Sequence, residues 1–328
     1  MKPVVLSLAP LPADLVKALI LQTEGVPDFD VVFGHEMSRP ELGEAIARAD
    51  AVLGDYTFKQ GIDREVLAKA SSVRLIQQPS VGYQHIDIDA CTKAKIRVAN
   101  TPGANTVSVA EHTIAWGLCL LRNLFAAHQG MKQGRWEQMA VKPAELSGKT
   151  WGLTGLGRIG KAVAVRLKPF GLGKVLYTDI ARAGEDVEDQ YGVEYCGLPD
   201  LLKLSDIVSL HAPLTDATRG MIGKAELEAM KPTAYLINVA RGELVDTDAL
   251  ADALRSGKIA GAACDVFAEE PVSPDDPLLK VPGDKVLLSP HVAGVSNEAA
   301  GRIINMATNN LARVLKGEEP LYIVNPLP

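Results

Sequence analysis

The sequence predicts an α/β protein with two doubly wound parallel sheets. Two observations carry that prediction. Short apolar runs alternate with helical patterns along nearly the whole chain, the order that builds parallel strands covered by helices on both faces. Near the middle, Trp151-Gly-Leu-Thr-Gly-Leu-Gly-Arg-Ile-Gly160 sets Gly155, Gly157 and Gly160 at G-x-G-x-x-G spacing between a strand pattern and a helix pattern.

In the first hundred residues, 4–8, 30–33, 51–54, 73–77 and 97–99 read as strands, with helices over 13–21 and 40–48. This half has no glycine fingerprint and need not bind a nucleotide. After the turn Asn100-Thr-Pro-Gly103, one long helix is expected over 105–130. Val109, Ile114, Leu118 and Leu121 are among apolar residues on much of its circumference, as in a helix deeply buried or shared with a second subunit. Further strands are expected at 207–212, 234–239, 260–266 and 286–289. Asp246 is the expected cap of a helix over 247–258, and a last helix covers 298–316.

The glycine segment has the flanks a dinucleotide site needs. Residues 149–154 read as a buried strand and 159–170 as a helix. A second strand, Val175-Leu-Tyr-Thr-Asp179, ends in an acid. Gly155 permits a tight turn, Gly157 leaves the pyrophosphate unobstructed, and Gly160 allows close packing of helix on sheet. The helix N-terminus offers free N–H groups to phosphate. Asp179, about twenty residues on, is placed to accept from the adenosine ribose hydroxyls. A carboxylate there repels a 2′-phosphate, which favours NAD; Arg182 nearby keeps NADP as the lesser alternative.

Composition narrows the class. The chain has 328 residues, 47% of them hydrophobic and 23% charged, enough for two domains with cores. A net charge of −6 leaves no basic footprint for nucleic acid. Cys91, Cys119, Cys196 and Cys264 are far apart, so neither a zinc site nor a disulfide framework is expected, and no metal. The N-terminal run is broken by prolines and reads as a strand, not a signal peptide. The apolar stretch 113–121 is too short to span a membrane. A cytoplasmic protein is expected.

Three side chains stand just past strand ends in the glycine-containing half, where ligands bind open parallel sheets. They are Arg241, Glu270 and His291. Singly, each has an ordinary reading: a surface ion pair, a solvated loop acid, a satisfied structural histidine. Together they supply an anion-binding group, a carboxylate and an imidazole beside the nicotinamide.

At these residues the chain resembles the D-isomer-specific 2-hydroxyacid dehydrogenases. The motifs are Asn100-Thr-Pro-Gly with Ala110-Glu-His112, the glycine fingerprint, Val208-Ser-Leu-His-Ala-Pro-Leu214, Leu236-Ile-Asn-Val-Ala-Arg-Gly242, Asp265-Val-Phe267 leading to Glu270-Pro271, and Ser289-Pro-His291. The resemblance covers nearly the whole chain. It implies two domains, Rossmann-like and flavodoxin-like, with a cleft between them. Residues 1–100 with 297–328 would form a discontinuous substrate domain, and 101–296 an inserted NAD domain. It also implies a homodimer joined through the NAD domains, with the helix over 105–130 at the joint.

The resemblance implies the chemistry as well. Arg241 would bind the carboxylate of a 2-keto acid and polarise its ketone. His291 would donate a proton to the alkoxide formed by hydride transfer. Glu270 would accept from the other ring nitrogen and favour the imidazolium. Ser80, Val81 and Gly82 would grip the substrate carboxylate, and Tyr56 would contact its R group. The implied cofactor set is Gly155, Leu156, Gly157, Arg158, Ile159, Gly160, Asp179, His211, Ala212, Pro213, Thr218, Val239, Ala240, Arg241, Asp265 and His291, with Asp265 on the nicotinamide carboxamide.

Departures from family variants narrow the substrate. Formate dehydrogenases of the superfamily carry glutamine where Glu270 stands. Phosphite dehydrogenases carry lysine at the position of Val81. Phosphoglycerate dehydrogenases usually carry arginine near Gln78. The substrate loop reads Ser80-Val-Gly-Tyr-Gln-His85 in place of the common Gly-x-Gly-Tyr-Asp-Asn. His85 and Trp136 are candidate pocket residues with packing as the alternative. The expectation is an NAD-dependent reductase of small unphosphorylated 2-keto acids such as glyoxylate and hydroxypyruvate. A phosphoglycerate-type dehydrogenase and an NAD-sensing corepressor are the alternatives.

Overall fold

The computed structural model describes residues 2–327. Its contacts divide the chain into two compact units, Met1–Asn105 with Ser296–Pro328, and Thr106–Val295.

The first unit holds five parallel strands, β1 (Val4–Ser7), β2 (Asp30–Phe33), β3 (Ala51–Leu53), β4 (Leu75–Gln77) and β5 (Arg97–Ala99). Their order is β2-β1-β3-β4-β5, one of the two common doubly wound orders. Strands buried on both faces read as continuous apolar runs, as Ala51–Leu53 does. Leu6, Val52, Ile76 and Val98 point into one core and Val5, Ala51, Leu53 and Leu75 into the other. The helix Asn297–Leu315 completes the second core with Ala307, Leu311, Ala312 and Leu315. Ser296 caps it, its hydroxyl accepting from the Ala299 N–H at 3.0 Å.

The second unit holds seven parallel strands, β6 (Thr150–Thr154), β7 (Lys174–Thr178), β8 (Glu194–Tyr195), β9 (Ile207–Leu210), β10 (Tyr235–Asn238), β11 (Gly261–Cys264) and β12 (Val286–Leu288). Their order is β12-β11-β10-β9-β6-β7-β8. This is the dinucleotide-fold order with one strand added beyond its sixth. The helices Thr106–Leu121 and Arg158–Leu167 cover one face through Ile114, Leu120, Val163 and Leu167. Leu198–Leu204, Lys224–Ala229 and Thr247–Ser256 cover the other through Leu201, Leu227, Leu250 and Leu254. Asp246 caps the last of these, accepting from the Ala249 N–H at 3.0 Å.

Trp151 in β6 is fully buried and donates from Nε1 to Ser209 Oγ at 2.8 Å. Thr106–Leu121 passes directly over it. A Cβ on Gly117 would stand 2.4 Å from the Trp151 ring, so only glycine permits that approach.

The single helix expected over 105–130 is two helices, Thr106–Leu121 and Leu124–Lys132. Asn123 breaks it with φ 47° and ψ 42°, a left-handed conformation that asparagine tolerates better than most residues. Its Nδ2 donates to the Val141 carbonyl at 2.6 Å. The first helix buries eight residues, whereas the second buries only Gly130 and leaves Leu124, Phe125 and Met131 exposed. No helix among the described residues is long and apolar enough to cross a membrane.

Candidate active site

Strand register in the second unit aligns the candidate residues. Thr178, Thr154, Leu210, Asn238, Cys264 and Leu288 form one row across β7, β6, β9, β10, β11 and β12. One residue beyond that row stand Asp179, Gly155, His211, Val239, Asp265 and Ser289. Motifs spread over more than a hundred residues therefore end at one carboxyl edge.

At the centre of that edge is the glycine turn. Gly155 has φ +98°, and a Cβ there would press on the His211 and Ala212 backbone at 3.0 Å. A Cβ on Gly160 would meet the Gly155 carbonyl oxygen at 2.2 Å, so the third glycine packs against the first. Beside Gly157 there is open space. Gly157 is the N-cap of Arg158–Leu167 and no side chain caps that helix. The first-turn N–H groups of Arg158, Ile159 and Gly160 are thus left for an anion, and the turn fits a dinucleotide pyrophosphate.

Asp179 is tied to this turn. Its Oδ2 accepts from the Leu156 N–H at 2.8 Å and its Oδ1 from the Ile180 N–H at 2.7 Å. Arg182 turns to Glu188, donating from Nε at 2.9 Å and Nη2 at 2.8 Å. Tyr177 donates to the same carboxylate at 2.7 Å. Hydrogen bonds from Arg182 and then Tyr177 hold the Glu188 carboxyl down at about 2.

The turns after β9 and β10 are held from within. Thr218 donates to the Pro213 carbonyl at 2.6 Å. His211 Nε2 lies 2.9 Å from Ser209 Oγ, and desolvation pushes its imidazole down to about 3. Buried Asn238 accepts from the Ala240 N–H at 3.1 Å and donates to the Arg241 carbonyl at 2.8 Å. That folds residues 239–241 back and aims Arg241. The guanidinium donates to the Ala240 carbonyl at 2.6 Å. Burial lowers its pKa, and the charges of Glu270 and Glu243 partly offset that. Among the described residues no carboxylate pairs with Arg241 directly, so the surface ion-pair reading does not describe it.

Glu270 and His291 meet. His291 Nδ1 is 2.6 Å from Glu270 Oε2, and Glu270 Oε1 accepts from the Phe267 N–H at 3.0 Å. Burial pushes the Glu270 carboxyl up. Its bonds from His291 and Phe267, with the charges of His291 and Arg241, outweigh that and leave it below the ordinary value. An ionised Glu270 can only accept, so Nδ1 carries a proton and Nε2 is left outside this contact. His291 has φ 54°, a conformation that costs a non-glycine residue on the order of 1–3 kcal/mol.

Asp265 supports that conformation. Its carbonyl accepts from the His291 N–H at 2.7 Å. Its carboxylate accepts from the Val292 and Ala293 N–H groups, both at 2.8 Å, and from the Ser289 hydroxyl. Asp265 is fully buried. From the sequence, Asp265 is expected at the cofactor, while Ser289 and His112 stand only within motifs; their part in this anchoring is not foreseen. The signal available was Ser289-Pro-His291 itself: a hydroxyl two residues before the imidazole.

Tyr56, Ser80, Val81 and Gly82 belong to the first unit. Ser80 donates to the Gly82 carbonyl at 2.6 Å and accepts from Gln78 at 2.8 Å, and Asn100 donates to the Val81 carbonyl at 2.8 Å. The loop is thereby fixed. Tyr56 is 42% exposed. Both His85 ring nitrogens are buried without a hydrogen-bond partner among the described residues, and the ring stands edge-on to Phe58 at 4.8 Å. Trp136 is 79% exposed. Among the described residues no group of three or more His, Cys, Asp or Glu side chains is placed to hold a metal ion.

Residues 114–293 match the family model for the NAD-binding domain of D-isomer specific 2-hydroxyacid dehydrogenases. A glyoxylate reductase of Thermofilum pendens is 46% identical over 293 residues, covering 88% of this chain and 85% of that protein. A D-3-phosphoglycerate dehydrogenase of Archaeoglobus fulgidus is 38% identical over 281 residues, 86% of this chain and 52% of that longer protein. The D-lactate dehydrogenase of Aquifex aeolicus, solved with NAD and lactic acid, has a TM-score of 0.85 at 30% identity, covering 99% of this chain and 100% of that one. With the aligned strand ends and the glycine turn, these likenesses place the chain in the D-isomer-specific 2-hydroxyacid dehydrogenase family, NAD-binding oxidoreductases that act on the CH–OH group of their donors.

Proposed function

We propose that this protein reduces glyoxylate to glycolate, or a 2-keto acid nearly as small to its D-2-hydroxy acid, with NADH. The observation that carries the reading is the 2.6 Å bond between His291 Nδ1 and Glu270 Oε2. It presents Nε2 as a proton donor on the same sheet edge as a half-buried arginine without a carboxylate partner.

Each group has a defined task. The nicotinamide, when bound, supplies the hydride that adds to the carbonyl carbon. Arg241 binds the substrate carboxylate with parallel N–H bonds and sets its plane. His291 Nε2 gives its proton to the oxygen as charge develops there. Glu270 stabilises the imidazolium before the transfer and keeps the proton on Nδ1 throughout. In the oxidative direction the same nitrogen removes the hydroxyl proton.

NADH rather than NADPH is favoured by Asp179, whose carboxylate repels a 2′-phosphate, and by Arg182, whose guanidinium is committed to Glu188. An unphosphorylated substrate is favoured by Gln78, fully buried and bonded to Asp55 and Ser80, where a cation would be needed. A second copy of the chain is the proposed cover for Leu124, Phe125, Met131, Trp136 and Met139, all exposed. Four free thiols fit the reducing cytoplasm.

The test is product analysis after incubation with NADH and a mixture of glyoxylate, hydroxypyruvate and 3-phosphohydroxypyruvate. Glycolate and D-glycerate are the expected products. Preferential consumption of the phosphorylated acid would move the assignment to the phosphoglycerate type.

A further inference from the structure

The support of His291 extends one residue further than the reaction requires, to the helix Thr106–Leu121. His112 on that helix is half-buried, and its Nε2 lies 3.5 Å from Ser289 Oγ and 4.0 Å from Asp265 Oδ1. Its ring stands edge-on to Trp116, centroids 5.1 Å apart at 86°, which fixes the ring plane.

Donor and acceptor capacity orders the chain of contacts. The Asp265 carboxylate only accepts, so the Ser289 hydroxyl gives its one proton to Oδ1. The Ser289 oxygen can then only accept from His112, which places the His112 proton on Nε2. Burial, partly offset by the Asp265 charge, lowers the His112 pKa. The chain runs from His112 Nε2–H to Ser289 and from Ser289 to the Asp265 carboxylate, which also accepts from the amides of Val292 and Ala293, while the Asp265 backbone carbonyl accepts from that of His291. The His112–Ser289 contact, at 3.5 Å, is at the long end of hydrogen bonding.

We propose that His112 is a positioning residue for the proton donor: through Ser289 it orients the Asp265 carboxylate that holds the backbone around His291. The proposal rests on His291 as the donor in keto-acid reduction. His112 touches neither substrate nor reacting atoms.

Three single variants, one double variant and one spectrum test it. His112→Phe keeps the ring and its packing on Trp116 but removes the donor. His112→Gln places an amide N–H near the position of Nε2. Ser289→Ala breaks the next link. The expected result for His112→Phe is a kcat lowered about fivefold to tenfold, the weight of one hydrogen bond. The KM for glyoxylate and the affinity for NADH, read by its fluorescence, should stay within about twofold. His112→Gln should recover most of the loss. The His112→Phe, Ser289→Ala double variant should be no slower than the worse single variant, because both cut one chain. In the wild-type protein, long-range nitrogen–proton correlation spectra should show His112 as the Nε2–H tautomer.

Wild-type kcat in His112→Phe, equal losses in the Phe and Gln variants, additive losses with Ser289→Ala, or an Nδ1–H tautomer would each overturn the proposal. A wild-type protein that binds NADH but reduces no keto acid would overturn the functional reading instead, and the tautomer would still report on His112.

Discussion

His291 Nδ1 sits 2.6 Å from the Glu270 carboxylate, and that carboxylate is held at its other oxygen by the Phe267 N–H. The backbone bond orients the acid, and the acid orients the imidazole. Glu270 is poised below the ordinary carboxyl value, so it is an anion wherever the enzyme works. Its charge lies directly against the ring proposed to give up the proton in reduction.

Glu270→Gln keeps the shape and removes the charge. The imidazole then loses its charged partner on Nδ1. The pH dependence of kcat/KM for reduction should therefore differ between the two proteins, with reduction failing at lower pH in the variant. A pH–rate profile of both proteins with glyoxylate and NADH checks this. An unchanged midpoint would remove Glu270 from the proton chemistry.

Arg241 is proposed to meet the substrate's charge. Arg241→Ala should lower kcat/KM for glyoxylate by roughly a hundredfold or more, the cost of leaving a desolvated charge without its partner. NADH affinity should change little. Arg241→Lys should recover only part of the loss, because an ammonium lacks the planar pair of donors. Stopped-flow NADH binding beside steady-state kinetics separates the two effects.

Arg182 is bonded to Glu188, and the proposed preference for NADH rests in part on that pair. Glu188→Gln should loosen it and narrow the preference for NADH over NADPH by about tenfold. The sign of the stability effect follows from the depressed Glu188 carboxyl. Its contribution is present above the ordinary 4.5 and is lost as pH falls toward about 2. The stability gap between wild type and Glu188→Gln should therefore hold from neutral pH to about 4.5 and shrink below it. Denaturant midpoints across pH, with kcat/KM for the two cofactors, test both statements.

Gly242 leaves no room for a side chain. A Cβ there would stand 2.0 Å from the Phe267 carbonyl carbon and 2.3 Å from the Ala268 nitrogen. Gly242→Ala must push away the segment that carries Glu270. It should destabilise the fold by about 1–3 kcal/mol and lower kcat by about tenfold or more. Thermal unfolding and kinetics on the same preparation check this.

Much of this site was legible because chemistry and topology coincide in a parallel sheet. Gly155, Asp179, Arg241 and His291 each follow an apolar run, and a run that ends in a charged or glycine residue marks a strand's carboxyl end. What was hidden depends on contacts between segments distant in sequence. The Arg182–Glu188 pair needs Tyr177 below it, and the Asp265 clamp needs the backbone of 291–293 folded over it. The break at Asn123 was hidden for a different reason. Apolar spacing continues through Leu121, Leu124 and Phe125, and one left-handed residue leaves little trace in a periodic pattern. The two-residue strand β8 is too short to show any period.

The most direct measurement is NADH oxidation by glyoxylate with wild-type protein and His291→Asn side by side. Asparagine accepts the left-handed backbone at this position, so the variant isolates the loss of the proton donor. Wild type should show clear turnover, and the variant unchanged NADH affinity with turnover reduced about a hundredfold to ten-thousandfold. Turnover retained in His291→Asn, or a wild-type protein that binds NADH and leaves glyoxylate and other small 2-keto acids untouched, would contradict it.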